Sequence, residues 1–200
     1  MNFPKWMLLA VLAVGLSGFG GWQWYENQYP TWQEEVQLAD GRIIPIAQKR
    51  KYFDNYGTDQ SWVTFSLPEM GGERTWHSYL IPMRLDVQDG KIYVYGRPRG
   101  PKQVAFYGYP KTCIVSFVWD GSDFVRVPLN QIPNQLLAEE NIYSCIPQNR
   151  GKKISYQKKS TDWCSPVGDR QQFTKYINIE EYTKACDALA MLDRAEHRSE

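Results

Sequence analysis

The groups in this chain of 200 residues that could do chemistry are few: four cysteines, two histidines and 22 acidic side chains. A serine nucleophile needs a base, and only His77 and His197 could supply one. His77 sits in Thr75-Trp76-His77-Ser78-Tyr79, a strand-like run, and His197 sits in a charged tail. No Gly-x-Ser-x-Gly elbow occurs. Gly71-Gly72 lacks the Lys-Ser or Lys-Thr that a phosphate loop requires, and there is no His-Glu-x-x-His or Cys-x-x-Cys pair for zinc. Glycoside hydrolysis asks for only two acids, which need not be close in sequence. Glu34, Glu35, Glu69 and Asp86 are available for it, but spacing selects none of them. The sequence implies no catalytic residue, no metal site and no cofactor.

The cysteines Cys113, Cys145, Cys164 and Cys186 gain meaning from the leader. Residues 6–21 read WMLLAVLAVGLSGFGG, with Lys5 before them and no acid ahead. Such a run carries the chain out of the cytoplasm, as an anchor or a cleaved signal peptide. The cleavage site is poor, because Gly18-x-Gly20 stands where Ala-x-Ala is usual. A helix over residues 6–24 would be roughly 28 Å long, close to a hydrocarbon core of about 30 Å. Trp6 would lie at one end, with Trp22, Trp24 and Tyr25 at the other, as interfacial belts. The expected organisation is an anchor or signal over 1–24, a juxtamembrane linker over 25–31, one β-rich periplasmic domain over 32–193 and a charged tail over 194–200. The location is then the inner membrane, single-pass, with the domain in the periplasm. Cleavage would instead release the domain to the periplasm or the medium. In that compartment an even cysteine count predicts two disulfides with three possible connectivities. The preferred pairing joins Cys164 to Cys186 and Cys113 to Cys145.

The body of the chain is dominated by Asp-Gly pairs between β-branched and aromatic runs. These are Asp40-Gly41, Asp89-Gly90 and Asp120-Gly121. Asp-Gly tolerates the positive φ of a tight turn, so each pair predicts a hairpin. Further strands are predicted over 62–67 and 74–80, with a weaker one over 153–157. A short helix is expected over 133–140. A longer one follows Asn178, which can cap it, with Glu180 and Glu181 in the first turn. Ile179, Tyr182, Cys186 and Leu189 then share a stripe. The Asp-Gly pairs are unevenly spaced, which excludes a repeat array. The expected fold is mainly β, an antiparallel sheet or small sandwich built from hairpins with a C-terminal helix, after an N-terminal membrane helix.

The stretch Trp32-x-Glu34-x-Val36-x-Leu38-x-Asp40-Gly41-Arg42 resembles the start of an uncharacterised family of proteobacterial envelope proteins. Pro128-Leu129-Asn130-Gln131-Ile132-Pro133 is similar to a later part of that family. The resemblance covers roughly residues 32–147. It implies an N-terminal membrane segment before a β-rich domain and no assigned activity. The four cysteines are not part of the family pattern.

Charge nearly cancels, 23 bases against 22 acids, so no strong field draws the domain to nucleic acid, and an exported domain does not meet it. Two basic clusters stand out: Arg97, Arg99 and Lys102 in a Pro-Gly loop, and Arg150, Lys152 and Lys153 followed by Lys158-Lys159. They are candidate contacts with an anionic partner. Trp62, Trp76 and Trp119 are expected in the core; Tyr93, Tyr95, Tyr107 and Tyr109 could grip a glycan or peptide, or equally pack inside. The expected function is a non-enzymatic, membrane-tethered module that binds an envelope protein partner or assists an envelope assembly. The alternative is a periplasmic or secreted hydrolase acting on cell-wall material.

Overall fold

Each Asp-Gly pair sits at a hairpin tip, and no two make the same turn. The computed structural model describes residues 28–52, 57–145, 147, 153–159 and 177–196; the leader, Arg150, Lys152, Cys164 and His197 lie outside them. Asp89 and Gly90 both have positive φ (51° and 69°) and alone separate Gln88 from Lys91, so they form the two-residue hairpin that Asp-Gly favours. At the first tip only Gly41 is positive (φ 87°), and Asp40 Oδ1 instead accepts the Arg42 N–H at 3.0 Å. At the third, Asp120 Oδ1 accepts the N–H groups of Ser122 and Asp123 at 2.8 and 2.9 Å. Asp therefore closes these two turns with its side chain rather than with its backbone.

The hairpins build two antiparallel four-stranded meanders. The first holds β1 (Thr31–Gln37), β2 (Ile43–Tyr52), β3 (Thr58–Leu67) and β4 (Gly72–Ser78), in that order. The second holds β5 (Ile81–Gln88), β6 (Lys91–Arg97), β7 (Val115–Trp119) and β8 (Phe124–Val127). One apolar core lies between them, with Val36, Ile46, Val63, Phe65 and Trp76 from the first sheet meeting Leu85, Ile92, Val94, Val115 and Phe117 from the second. At the corner between sheets, β5 and β6 run so close that a Cβ on Gly96 would stand 2.5 Å from the Ile81 carbonyl oxygen. Glycine at 96 is thus a packing requirement.

The second sheet is covered on both faces, which is why β5 is buried from Ile81 to Asp86 without alternation. Its outer face lies under 3-10 turns at Leu129–Gln131 and Asn134–Leu137, which pack on Tyr93 and, with the C-terminal helix, on Tyr95 and Met83. Tyr93 and Tyr95 are therefore core residues. The expected helix over 133–140 is only the short second turn. Trp76 is fully buried as expected, but Trp62 and Trp119 are only partly so.

Among the described residues three α-helices of a turn or more complete the fold: α1 (Pro101–Phe106), α2 (Tyr156–Lys159) and α3 (Ile179–Glu196). The loop expected at Arg97 to Lys102 ends early, because Pro101 suits the first position of a helix and opens α1. The weak strand expected over 153–157 reduces to Ile154, which bridges in parallel to Glu34, before α2 begins. Asn178 caps α3 as expected, its Oδ1 accepting the Glu181 N–H at 3.3 Å. Tyr182, Cys186 and Leu189 face α1 and β-sheet residues, but Ile179 is 41% exposed.

The disulfide that pins α3 overturns the preferred pairing. Cys113 is bonded to Cys186, across 73 residues. Cys113 occupies a positive-φ position just before β7, and α3 packs along α1, so the two cysteines meet beside Val104. Cys145 is also disulfide-bonded.

Candidate functional site

Period two along β2 and β3 sorts their side chains into two unlike groups, and both groups are chemically unusual. Inward from the first sheet, beyond the apolar core, point Glu34, Gln48 and Arg50, each at most 1% exposed. Lys159 of α2 reaches in from the opposite side and forms an ion pair with Glu34. Gln48 Nε2 donates to Glu34 Oε1, and the Tyr143 N–H donates to Glu34 Oε2 at 2.9 Å. Arg50 donates from Nε and Nη2 to Gln48 Oε1 (3.0 and 2.8 Å), and from Nη2 to the Tyr143 carbonyl at 2.9 Å. Burial pushes the Arg50 guanidinium down to about 10 and lowers the Lys159 ammonium, the latter opposed by Glu34.

This cluster fastens a strap. Residues 141–145 and 153–159 lie along β1 and β5, held by Lys159 and by backbone bonds. Ile154 bonds Gln33 and Glu35 on β1 (3.0 and 2.9 Å), while Asn141 and Ile142 bond Met83 on β5 (3.0 and 3.1 Å). Beside it a polar cavity of about 280 Å³ is lined by Arg84, Glu139, Glu140, Asn141, Tyr156 and Lys159. Three of its charged groups are engaged internally: Arg84 with Asp86, Glu140 with the Tyr182 hydroxyl, Lys159 with Glu34.

The outward group is aromatic. Lys49, Trp62 and His77 are register partners on β2, β3 and β4, so they form one row straight across the sheet. The Trp62 and His77 rings are stacked, with centroids 4.7 Å apart and planes within 5°. The Lys49 ammonium lies over Trp62 at 5.2 Å and over Tyr29 at 5.1 Å. The row continues from His77 to Tyr79 and on to Phe106 of α1, which is 65% exposed. His77 Nε2 lies 3.1 Å from Gln60 Oε1, and partial burial lowers its imidazole pKa. Burial of that ring accompanies stacking; no acid or nucleophile stands against it in the hydrogen bonds it makes.

The basic clusters do not form two uniform patches. Arg99 and Lys102 are exposed, whereas Arg97 is half-buried with its Nε enclosed. Lys153 is exposed but ion-paired with Glu35 at 2.8 Å, which ties the strap to β1. Neighbouring Lys159 points inward.

The acids proposed for hydrolysis are likewise engaged. Glu34 holds Lys159, Glu35 holds Lys153, Asp86 holds Arg84, and Glu69 pairs with Arg42. An open groove of about 1050 Å³ beside the β7–β8 hairpin is lined by Glu69 and Asp120, together with Trp119, Val118 and Val125. Arg42 lowers the Glu69 pKa and backbone N–H groups lower that of Asp120. A glycosidase acid is held protonated by a raised pKa, and both groove carboxylates are shifted the other way. Among the described residues no group of three or more His, Cys, Asp or Glu is placed to hold a metal ion. Compared with known proteins, the chain matches no family model, no curated protein and no solved structure.

Proposed function

We propose that the chain is a membrane-tethered envelope module that binds a protein partner through the outer face of its first sheet. The observation that carries this reading is the row Lys49–Trp62–His77, continued by Tyr79 and Phe106. Rings fixed in advance by stacking lose little freedom on binding, so their contact area converts efficiently to affinity. The same geometry disfavours a sugar as ligand. A sugar packs on an open ring face, and both faces of Trp62 are taken, one by His77 and one by Lys49. Ring edges and the exposed Phe106 are what remain, and these suit protein side chains. The leader over 1–24 would supply the tether, and the strap would keep the opposite side of the domain closed. In a pull-down of the tagged full-length chain from membranes, Trp62→Ala with Phe106→Ala should lose the captured partner while keeping the yield of folded protein. Capture unchanged by the double substitution would reject the outer face as the contact. Release of sugar from cell-wall material, abolished by Glu69→Gln, would establish the hydrolase instead.

A further inference from the structure

A sheet edge offers unpaired N–H and C=O groups, and proteins blunt such edges by shortening, bulging, charging or covering them. The two meanders have four edges: β1, β4, β5 and β8. β1 is covered by Ile154, and β5 by Asn141 and Ile142. β8 has only four residues and runs into Pro128. β4 lacks most of these devices: among the described residues it is neither short, bulged nor covered, and its two charges, Glu73 and Arg74, are of opposite sign. It is seven residues long, Gly-Glu-Arg-Thr-Trp-His-Ser, without proline or lysine and without a bulge against β3. Among the described residues it pairs with β3 alone.

Its sequence is also complementary to itself. In an antiparallel pair of two β4 strands, one register uses all seven residues, and it places Thr75 on the two-fold axis. Glu73, Thr75 and His77 share the outer face and are exposed. That register sets Thr75 opposite Thr75, and Glu73 of each copy opposite His77 of the other, an acid facing a base on both sides of the axis. Cross-strand neighbours of this kind stabilise a sheet, and like charges in their place would oppose it. We propose that two copies of this chain pair edge to edge through β4, joining their first sheets into one eight-stranded sheet. The two Trp62–His77 rows would then lie on one continuous face. The dimer stands apart from the partner-binding reading, because it is read by mass and not by capture.

The test uses the full-length chain. Opposed residues in an antiparallel pair have Cα atoms about 4.5–5.5 Å apart, within disulfide range. Thr75→Cys, purified without reductant, should therefore run at twice the 23.3 kDa chain mass and return to single mass on reduction. Gln33→Cys, exposed on the outer face of β1 at the far edge, should stay at single mass. By native mass spectrometry the unsubstituted chain should be two copies and Thr75→Lys, which sets two ammonium groups on the axis, one copy. Single mass for Thr75→Cys, equal cross-linking of Gln33→Cys, a single-copy unsubstituted chain, or a Thr75→Lys chain that stays paired would each overturn the proposal.

Discussion

The two faces of the first sheet invert the usual arrangement: at one end a charged cluster points in, packed on Trp32, while the Trp62 and His77 rings point out. Inside, Glu34, Gln48, Arg50 and Lys159 are shielded from water. Outside, Lys49, which lies between Gln48 and Arg50 on β2, forms a row with Trp62 of β3 and His77 of β4. A one-residue slip of β2 would turn Lys49 inward and Gln48 and Arg50 outward. What forbids the slip is the other end of the strands. There Ile44, Ile46, Val63 and Phe65 must face the second sheet, and period two carries their choice of face along the strand to Arg50 and Trp62. The apolar half fixes the register, and the polar half makes a buried cluster that a strap can lock.

The largest expected effect breaks the inner side. Glu34→Ala leaves Lys159 buried without its carboxylate and removes one of the two acceptors of Gln48 Nε2, the Tyr143 carbonyl at 3.0 Å remaining. Removing one partner of a buried ion pair costs about 3–5 kcal/mol. Denaturant unfolding of the full-length chain, followed by tryptophan fluorescence, should show a loss of that size. Replacing both charges, as Glu34→Leu with Lys159→Met, should recover much of it, because packed apolar groups often equal a buried pair. If the double variant is as unstable as the single one, the strap depends on the charges themselves and not on the filling of the site.

The outer side should respond far less. Trp62→Ala removes a stack with His77 and a cation contact with Lys49 but opens no hole in the core. Ring pairs and cation–π contacts contribute about 0.5–1.5 and 0.5–1 kcal/mol, so a total loss of about 1–2.5 kcal/mol is expected in the same unfolding measurement. A loss as large as that of Glu34→Ala would mean that Trp62 supports the fold, and its exposure would then say nothing about a partner.

Much of this contrast was legible in sequence, and some was not, for physical reasons. Alternation in Trp32-x-Glu34-x-Val36-x-Leu38 marks one buried face, and in β1 those residues are the inward ones. The Asp-Gly pairs located three of the hairpin tips because positive φ and an Asx acceptor are local properties, whereas the β3–β4 tip at Pro68–Gly71 carries no such pair. Alternation in Ser61-Trp62-Val63-Thr64-Phe65 already sets Trp62 against the apolar positions, so its place outside the core was available from period two. Average residue preference, which puts tryptophan inside, points the wrong way. Gln48 and Arg50 carry no sequence signal for burial, since polar residues at strand ends usually face water. The Cys113–Cys186 bond joins segments 73 residues apart that meet only because α3 packs on α1, so spacing could not find it. The exposed Arg99 and Lys102 were legible as surface, whereas the inward turn of Lys159 depends on the strap.

The smallest expected effect sharpens the comparison through pH. Outside, His77 is held below its ordinary pKa of 6.5 by partial burial against Trp62. The folded state therefore resists a proton that the unfolded chain accepts. Between the lowered folded pKa and 6.5 the unfolded state binds more protons, so stability rises as pH rises through that window. Below the window both states are protonated and the cost of charging His77 is borne in full; above it both are neutral and the cost is gone. The ring is largely solvated, so the change is small and is best read as a difference between variants. His77→Gln keeps a polar side chain beside Gln60 but cannot titrate. Urea midpoints of the two proteins, measured at about pH 5 and about pH 8, should therefore differ in their pH response, with the histidine chain gaining more stability on going from acid to base. Equal responses would mean that stacking on Trp62 does not oppose protonation. A gain on acidification would mean that protonated His77 finds an acid, and Glu73 of a second copy across the β4 edge would be the first place to look.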